Sequence, residues 1–168
     1  MLEYTINNKI METTDKNIKY PYIPEGRTIL YVSEENQYMK IAKEMYLLSN
    51  EKNHPTGAVV VKDGKIISRA SNKAALENKK LIELHKKYCI RKLLHIPTGK
   101  GYFLCPGCAS SQNHAESRAS KMAGADAKGA DLYLYGHWWA CKPCWDNMIK
   151  VGIKNVYLLE NSENLFKR

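Results

Sequence analysis

The sequence predicts an α/β domain on three observations. Tyr38, Ile41, Ala42, Met45 and Leu48 recur at helical spacing, as one face of an amphipathic helix does. Ala58 to Val61 and Ile66 to Ser71 flank Asp63-Gly64, the strongest short hairpin signal. Residues 131–159 read as strand, helix, strand, an order that implies parallel neighbours joined by a right-handed crossover. At 168 residues the chain can enclose one core.

Taken in order, Met1 to Gly26 carries Pro21 and Pro24 among polar residues with no clear period. It reads as an N-terminal extension (1–26) to a domain over 27–168. Ser33 with Glu34 and Glu35 marks a helix start. Asn53 to Gly57 is a turn leading into the hairpin. Lys73 to Leu94 reads as helical and lysine-rich, with Leu81, Ile82, Leu84, Leu93 and Leu94 as its apolar residues. Asp131 to Tyr135 alternates as a strand, Trp145 to Val151 is a helix ended by Gly152, and Ile153 to Leu159 is a buried strand. Glu160 to Arg168 shows no pattern.

Lys and Arg outnumber Asp and Glu by 26 to 17, a net charge of +9, which suggests an anionic partner or substrate or else a solvated basic face. Lys79, Lys80, Lys86, Lys87, Arg91 and Lys92 are candidate phosphate contacts. No run approaches the roughly 18 apolar residues of a membrane span, and Met1 to Tyr20 is too polar for a signal peptide, so a cytoplasmic protein with no membrane partner is expected. Five cysteines include two Cys-x-x-Cys pairs, which without an export signal favours metal over disulfide.

The chemistry concentrates in His114-Ala115-Glu116, answered by Cys141-Lys142-Pro143-Cys144. One His and two Cys are three soft ligands for a tetrahedral zinc, and a catalytic zinc keeps its fourth position for water. Cys141 and Cys144 stand three apart, so in a first helical turn both thiolates face one side, where the helix N-terminus favours their charge. His114 precedes an apolar run, Ala115, Ala119, Met122 and Ala123, and opens a second helix aimed at the same ion. Glu116 is left free to move protons. The competing reading is a zinc-stapled module without catalysis, although a structural site more often shows four protein ligands.

Cys105-Pro106-Gly107-Cys108 has the spacing of a zinc knuckle, with Cys89 upstream as a possible third ligand and His85 or His95 as a fourth. The alternative is three reduced thiols.

His-x-Glu followed by Cys-x-x-Cys resembles the signature of the zinc-dependent cytidine and deoxycytidylate deaminases. Thr56 to Val61 with Asp63 to Ile67 is similar to that family's opening hairpin. Cys89-Ile90-Arg91-Lys92 with Ile96-Pro97-Thr98-Gly99 is similar to a segment of its deoxycytidylate branch. The resemblance covers roughly Glu34 to Leu159. It implies a three-layer α/β/α sandwich with a mixed five-stranded sheet, a catalytic zinc on His114, Cys141 and Cys144, Glu116 as the acid–base, and a homo-oligomer.

The resemblance also makes Asn72 a contact to the substrate sugar, against the default of a turn Asn. With Ala115 and the loop residues Trp138 and Trp139 it completes the expected substrate-binding set; either indole could instead fill core. His137 is expected at the pocket edge or surface. Two departures stand out. The spacing from Cys105 to His114 is longer than the family pattern, and Ala140 replaces the usual proline before the first ligand Cys, with Pro143 between the pair. The expected substrate is a free nucleotide, dCMP first; another base or nucleoside, or single-stranded nucleic acid, are the alternatives.

Overall fold

The computed structural model describes residues 18–19, 21–51, 54–97 and 100–167. Most of the expected extension, Asn53 of the expected turn, and Thr98 and Gly99 lie outside the described residues. Among the described residues, no helix is long and apolar enough to cross a membrane.

A mixed five-stranded sheet carries the fold. Its strands are β1 (Ile29–Val32), β2 (Gly57–Lys62), β3 (Lys65–Ser71), β4 (Asp131–Tyr135) and β5 (Asn155–Leu159). They lie in the order β1-β5-β4-β2-β3. β1, β5 and β4 run parallel, while β2 is antiparallel to both β4 and β3. The hairpin forms where expected: Asp63 (φ 49°) and Gly64 (φ 76°) both take the left-handed conformation that a tight two-residue connection requires. A register shift between Val60 and Val61 adds a local bulge.

Helices cover both faces. α1 (Gln37–Leu47) and α6 (Ser162–Phe166) lie on one side, α4 (Ala115–Ala123) and α5 (Lys142–Lys150) on the other. That is why β4, which alternates by residue type, is buried from Leu132 through Tyr135. Leu132 and Leu134 join the core under α4 and α5, whereas Tyr133 and Tyr135 join the core with Met39 and Ala42 of α1. Tyr133 stacks on Tyr157 of β5 with ring centroids 4.6 Å apart.

Several elements differ from expectation. Helix α1 begins at Gln37, because Asn36 Oδ1 accepts the N–H groups of Tyr38 (3.0 Å) and Met39 (3.1 Å) and so sets the cap. Its buried residues are Met39 and Ala42, and Leu48, at the C-cap, is 71% exposed. The expected helix over Lys73 to Leu94 is two short helices, α2 (Lys79–Lys87) and α3 (Ile90–Leu93). Asn78 caps the first, and the extended backbone at Cys89 breaks the run, which turns that thiol inward. On α4 Met122 is 63% exposed, so the inner face is Ala115, Ala119 and Ala123. β1 and α6 are additions that no sequence pattern had marked. Tyr22, within the expected extension, packs against the larger core.

α1 presses directly on the start of β2. A Cβ at Gly57 would lie 2.0 Å from the Ala42 carbonyl oxygen and 2.4 Å from the Tyr46 nitrogen. Gly57→Ala is therefore expected to destabilise the fold by about 3 kcal/mol through overpacking, read as a lower urea midpoint; an unchanged midpoint would show that the helix can withdraw freely.

Candidate metal centre and active site

Two helix starts converge as the sequence suggested. His114 is the N-cap of α4, Cys141 is the N-cap of α5, and Cys144 sits in the first turn of α5. Pro143 occupies that first turn, where its missing N–H costs no hydrogen bond. Cys144 Sγ lies 3.3 Å from His114 Nδ1 and 3.2 Å from Cys141 Sγ, and Cys141 Sγ is 3.6 Å from His114 Nδ1. Zinc–sulfur bonds of about 2.3 Å and a zinc–nitrogen bond of about 2.0 Å would separate tetrahedral ligands by roughly 3.5–3.8 Å. The triangle is close to that size, and its donors are the soft set zinc prefers, so the residues fit zinc.

The electrostatics point the same way. A hydrogen bond with the Cys144 thiol lowers the Cys141 pKa to about 6, against burial and with help from His114. Burial, then Cys141 and Glu116, push Cys144 well above the ordinary thiol value. Burial opposes protonation of His114, yet Cys141 and the Glu116 carboxylate together raise its pKa. Anionic groups thus crowd one buried point, the arrangement a divalent cation relieves.

Ser117 and Asn147 extend the centre outward, and sequence reading passed over both. Asn147 Nδ2 donates to Ser117 Oγ (3.0 Å), which leaves the hydroxyl proton to donate to Cys144 Sγ (3.2 Å). Each stands three residues after a ligand, Ser117 after His114 and Asn147 after Cys144, and that helical spacing was the available signal. Tyr102 sets its ring edge-on to the His114 imidazole at 5.8 Å.

The remaining expected site residues separate. Glu116 is 5% exposed in the first turn of α4, and Ala115 beside it is fully buried. Asn72 is 7% exposed and heavily engaged: its Oδ1 accepts from Thr56 N (2.8 Å) and Ser49 Oγ (2.6 Å), and its Nδ2 donates to the His54 carbonyl (2.7 Å). Next to it, Lys73 N donates to the Asn113 carbonyl (2.8 Å), which ties the end of β3 to the residue before His114. Asn72, Lys73 and Arg118 line a shared open depression.

Trp139 is buried in the larger core, whereas Trp138 lines a different depression with Ile29, Tyr31 and Asn161, none of them a candidate ligand. His137 is no part of the ligand group; its Nδ1 accepts from the Trp138 and Trp139 backbone N–H groups at 3.0 and 3.3 Å. A second cluster also forms. His85, Cys89, Cys105 and Cys108 bring their ligand atoms within 4.8 Å of one another, while His95 stands outside that group.

Fold and centre together define a zinc-binding α/β domain with three protein ligands and a neighbouring carboxylate. The profile of the cytidine and deoxycytidylate deaminase zinc-binding region matches residues 32–160, and the chain belongs to that family of zinc-dependent hydrolytic enzymes. Riboflavin biosynthesis protein RibD of Bacillus amyloliquefaciens is 42% identical over 55 residues, 30% of this chain and 15% of that protein. Diaminohydroxyphosphoribosylamino-pyrimidine deaminase of Buchnera aphidicola is 43% identical over 51 residues, 28% of this chain and 35% of that one. The match therefore spans a minor part of either relative. Among solved structures, dCMP deaminase from cyanophage S-TIM5 in apo form has a TM-score of 0.44 at 22% identity, covering 77% of this chain and 86% of that one. Acinetobacter baumannii RibD, form 1, has a TM-score of 0.40 at 23% identity, covering 72% and 26%.

The hydroxyl of Ser117 favours Cys144 as a thiolate. Ser117→Ala is expected to weaken zinc binding by about 10-fold, in line with other hydrogen bonds to metal ligands, measured by competition with a coloured chelator; unchanged affinity would remove Ser117 from the centre.

Proposed function

We propose that the chain hydrolytically deaminates a free pyrimidine nucleotide, with dCMP converted to dUMP and ammonia as the first candidate. The observation that carries the reading is the placement of Glu116. It is a buried carboxylate two residues from His114, and its charge is felt at His114, Cys141 and Cys144 alike. Zinc held by these three residues would supply a water whose pKa falls from about 15.7 toward about 7. Glu116 would accept a proton from water and donate it to ring N3 so that C4 becomes electrophilic; once hydroxide has added to C4, it would take the proton of the new hydroxyl and pass it to the departing amine, which leaves as ammonia. One carboxylate serves both transfers because it is fixed in a helical first turn. Burial keeps bulk water from competing for its proton.

The deoxycytidylate reading is supported by the segments around Cys89 and Ile96 and by the net charge of +9. Lys73 and Arg118 give positive charge to the depression that Asn72 also lines, where a sugar phosphate could be met. Asn72 would then act chiefly by holding the turn around His54 and Thr56 in place. A second reading, deamination of a larger aminopyrimidine nucleotide, is favoured by the sequence likeness to RibD and to diaminohydroxyphosphoribosylamino-pyrimidine deaminase. Residues 27–168 would form the deaminase domain and 1–26 its extension.

Ammonia release from dCMP, CMP, deoxycytidine, cytidine and a diaminopyrimidine ribosyl phosphate separates the readings. Glu116→Gln is expected to keep its zinc and lose at least about 100-fold in turnover. Near-normal turnover by that variant would sink the assigned role. Silence across the whole panel by folded, zinc-loaded protein would favour a non-catalytic zinc module.

We also propose a homo-oligomer. Leu84, Leu93, Leu94 and Phe103 are large apolar side chains exposed by 55, 62, 60 and 87%, which a second copy would cover. Sedimentation equilibrium at micromolar concentration should give a mass above that of one chain; a monomer would refute it.

A further inference from the structure

We propose that His85, Cys89, Cys105 and Cys108 bind a second, structural zinc ion that anchors the chain leading to His114. This inference does not rest on the deaminase reading. Four ligands close a tetrahedral site and leave no position for water, in contrast to the three at the first centre. Cys89 Sγ and Cys108 Sγ are 3.6 Å apart, and Cys108 Sγ lies 3.5 Å from His85 Nε2. Cys89 and Cys105 are 4% and 3% exposed.

The surroundings are built for a metal. The backbone N–H groups of Gly107 and Ile90 donate to the Cys105 sulfur, as amides around a bound thiolate do. A Cβ at Gly107 would lie 2.2 Å from the His85 ring, so glycine is what lets the imidazole reach Cys108 in this position. Three thiolates and one zinc leave a net charge of −1, and Arg91 Nη1 stands 3.6 Å from Cys108 Sγ to balance it. Arg91 also donates to the carbonyls of Lys100 and Pro97 at 2.8 Å each. Its guanidinium covers the Tyr102 ring at 4.1 Å, and Tyr102 in turn meets His114 edge-on. The second site is thus joined to the first through two side chains.

The test is the zinc content of the intact, folded full chain, expressed with zinc and weighed by native mass spectrometry. Two ions are expected in the natural chain, one in Cys141→Ser/Cys144→Ser and one in Cys105→Ser/Cys108→Ser. A single ion in the natural chain with none in Cys141→Ser/Cys144→Ser overturns the proposal, as does a Cys89–Cys108 disulfide in that protein. Should Cys105→Ser/Cys108→Ser fail to fold, the other double variant still decides. Gly107→Ala should weaken the second ion at least about 10-fold in chelator competition, while Phe103→Ala should not. Anchoring is read separately: loss of the second ion should speed protease cleavage between residues 96 and 113 with the first ion retained, and unchanged cleavage would overturn that part.

Discussion

The site depends on how closely α4 can lie against the sheet and α5. Its inner face is Ala115, Ala119 and Ala123, with Ser117 and Ser120 also buried, so no long side chain holds it away. Ser68 Oγ donates to the Ala119 carbonyl at 2.7 Å and fixes that closeness from β3. Only then can a residue at the start of α4 bring its imidazole within 3.3 Å of a sulfur at the start of α5. The other half of the approach comes from β4. Gly136 (φ 94°) ends that strand where a Cβ would lie 2.5 Å from the Tyr46 ring, so the chain can turn under α1 and deliver Cys141 to the same point.

That convergence has an electrostatic consequence. Two helix N-termini present their partial positive charge to two sulfurs and a buried carboxylate. Two thiolates and a divalent ion would make the ligand cluster neutral, with the buried carboxyl of Glu116 beside it. On the proposed function, a carboxylate beside a neutral metal centre would not be drawn into coordination by excess positive charge and would remain available for proton transfer.

Much of this was legible in the sequence because short spacings act locally. Asp63-Gly64 needs two left-handed residues and finds them, and Cys141 and Cys144 fall on one side of a first turn. What was not legible depends on distant partners. Ile29 to Val32 becomes a strand only because β5 offers a parallel edge, with Glu160 N donating to the Val32 carbonyl. α6 is held by Phe166, which packs on Tyr46 and Tyr135. The break at Cys89 was hidden by good helix formers on both sides, and the thiol it turns inward joins a cluster that residues 105 and 108 complete from far along the chain. Trp138 and Trp139 meet edge to face at 6.3 Å, Trp139 buried in the core and Trp138 half-buried against it while also lining the depression beside β1.

The long approach from Cys105 to His114 gains a physical reason from the same geometry. A loop of that length before a catalytic ligand would ordinarily broaden the ligand's position, and a metal centre tolerates little such spread. Here the segment is bracketed at both ends. Asn113 accepts from Lys73 N, which ties it to β3, and Tyr102 lies between the Arg91 guanidinium and the His114 ring. His114 is therefore held in register with the two cysteines despite the long approach.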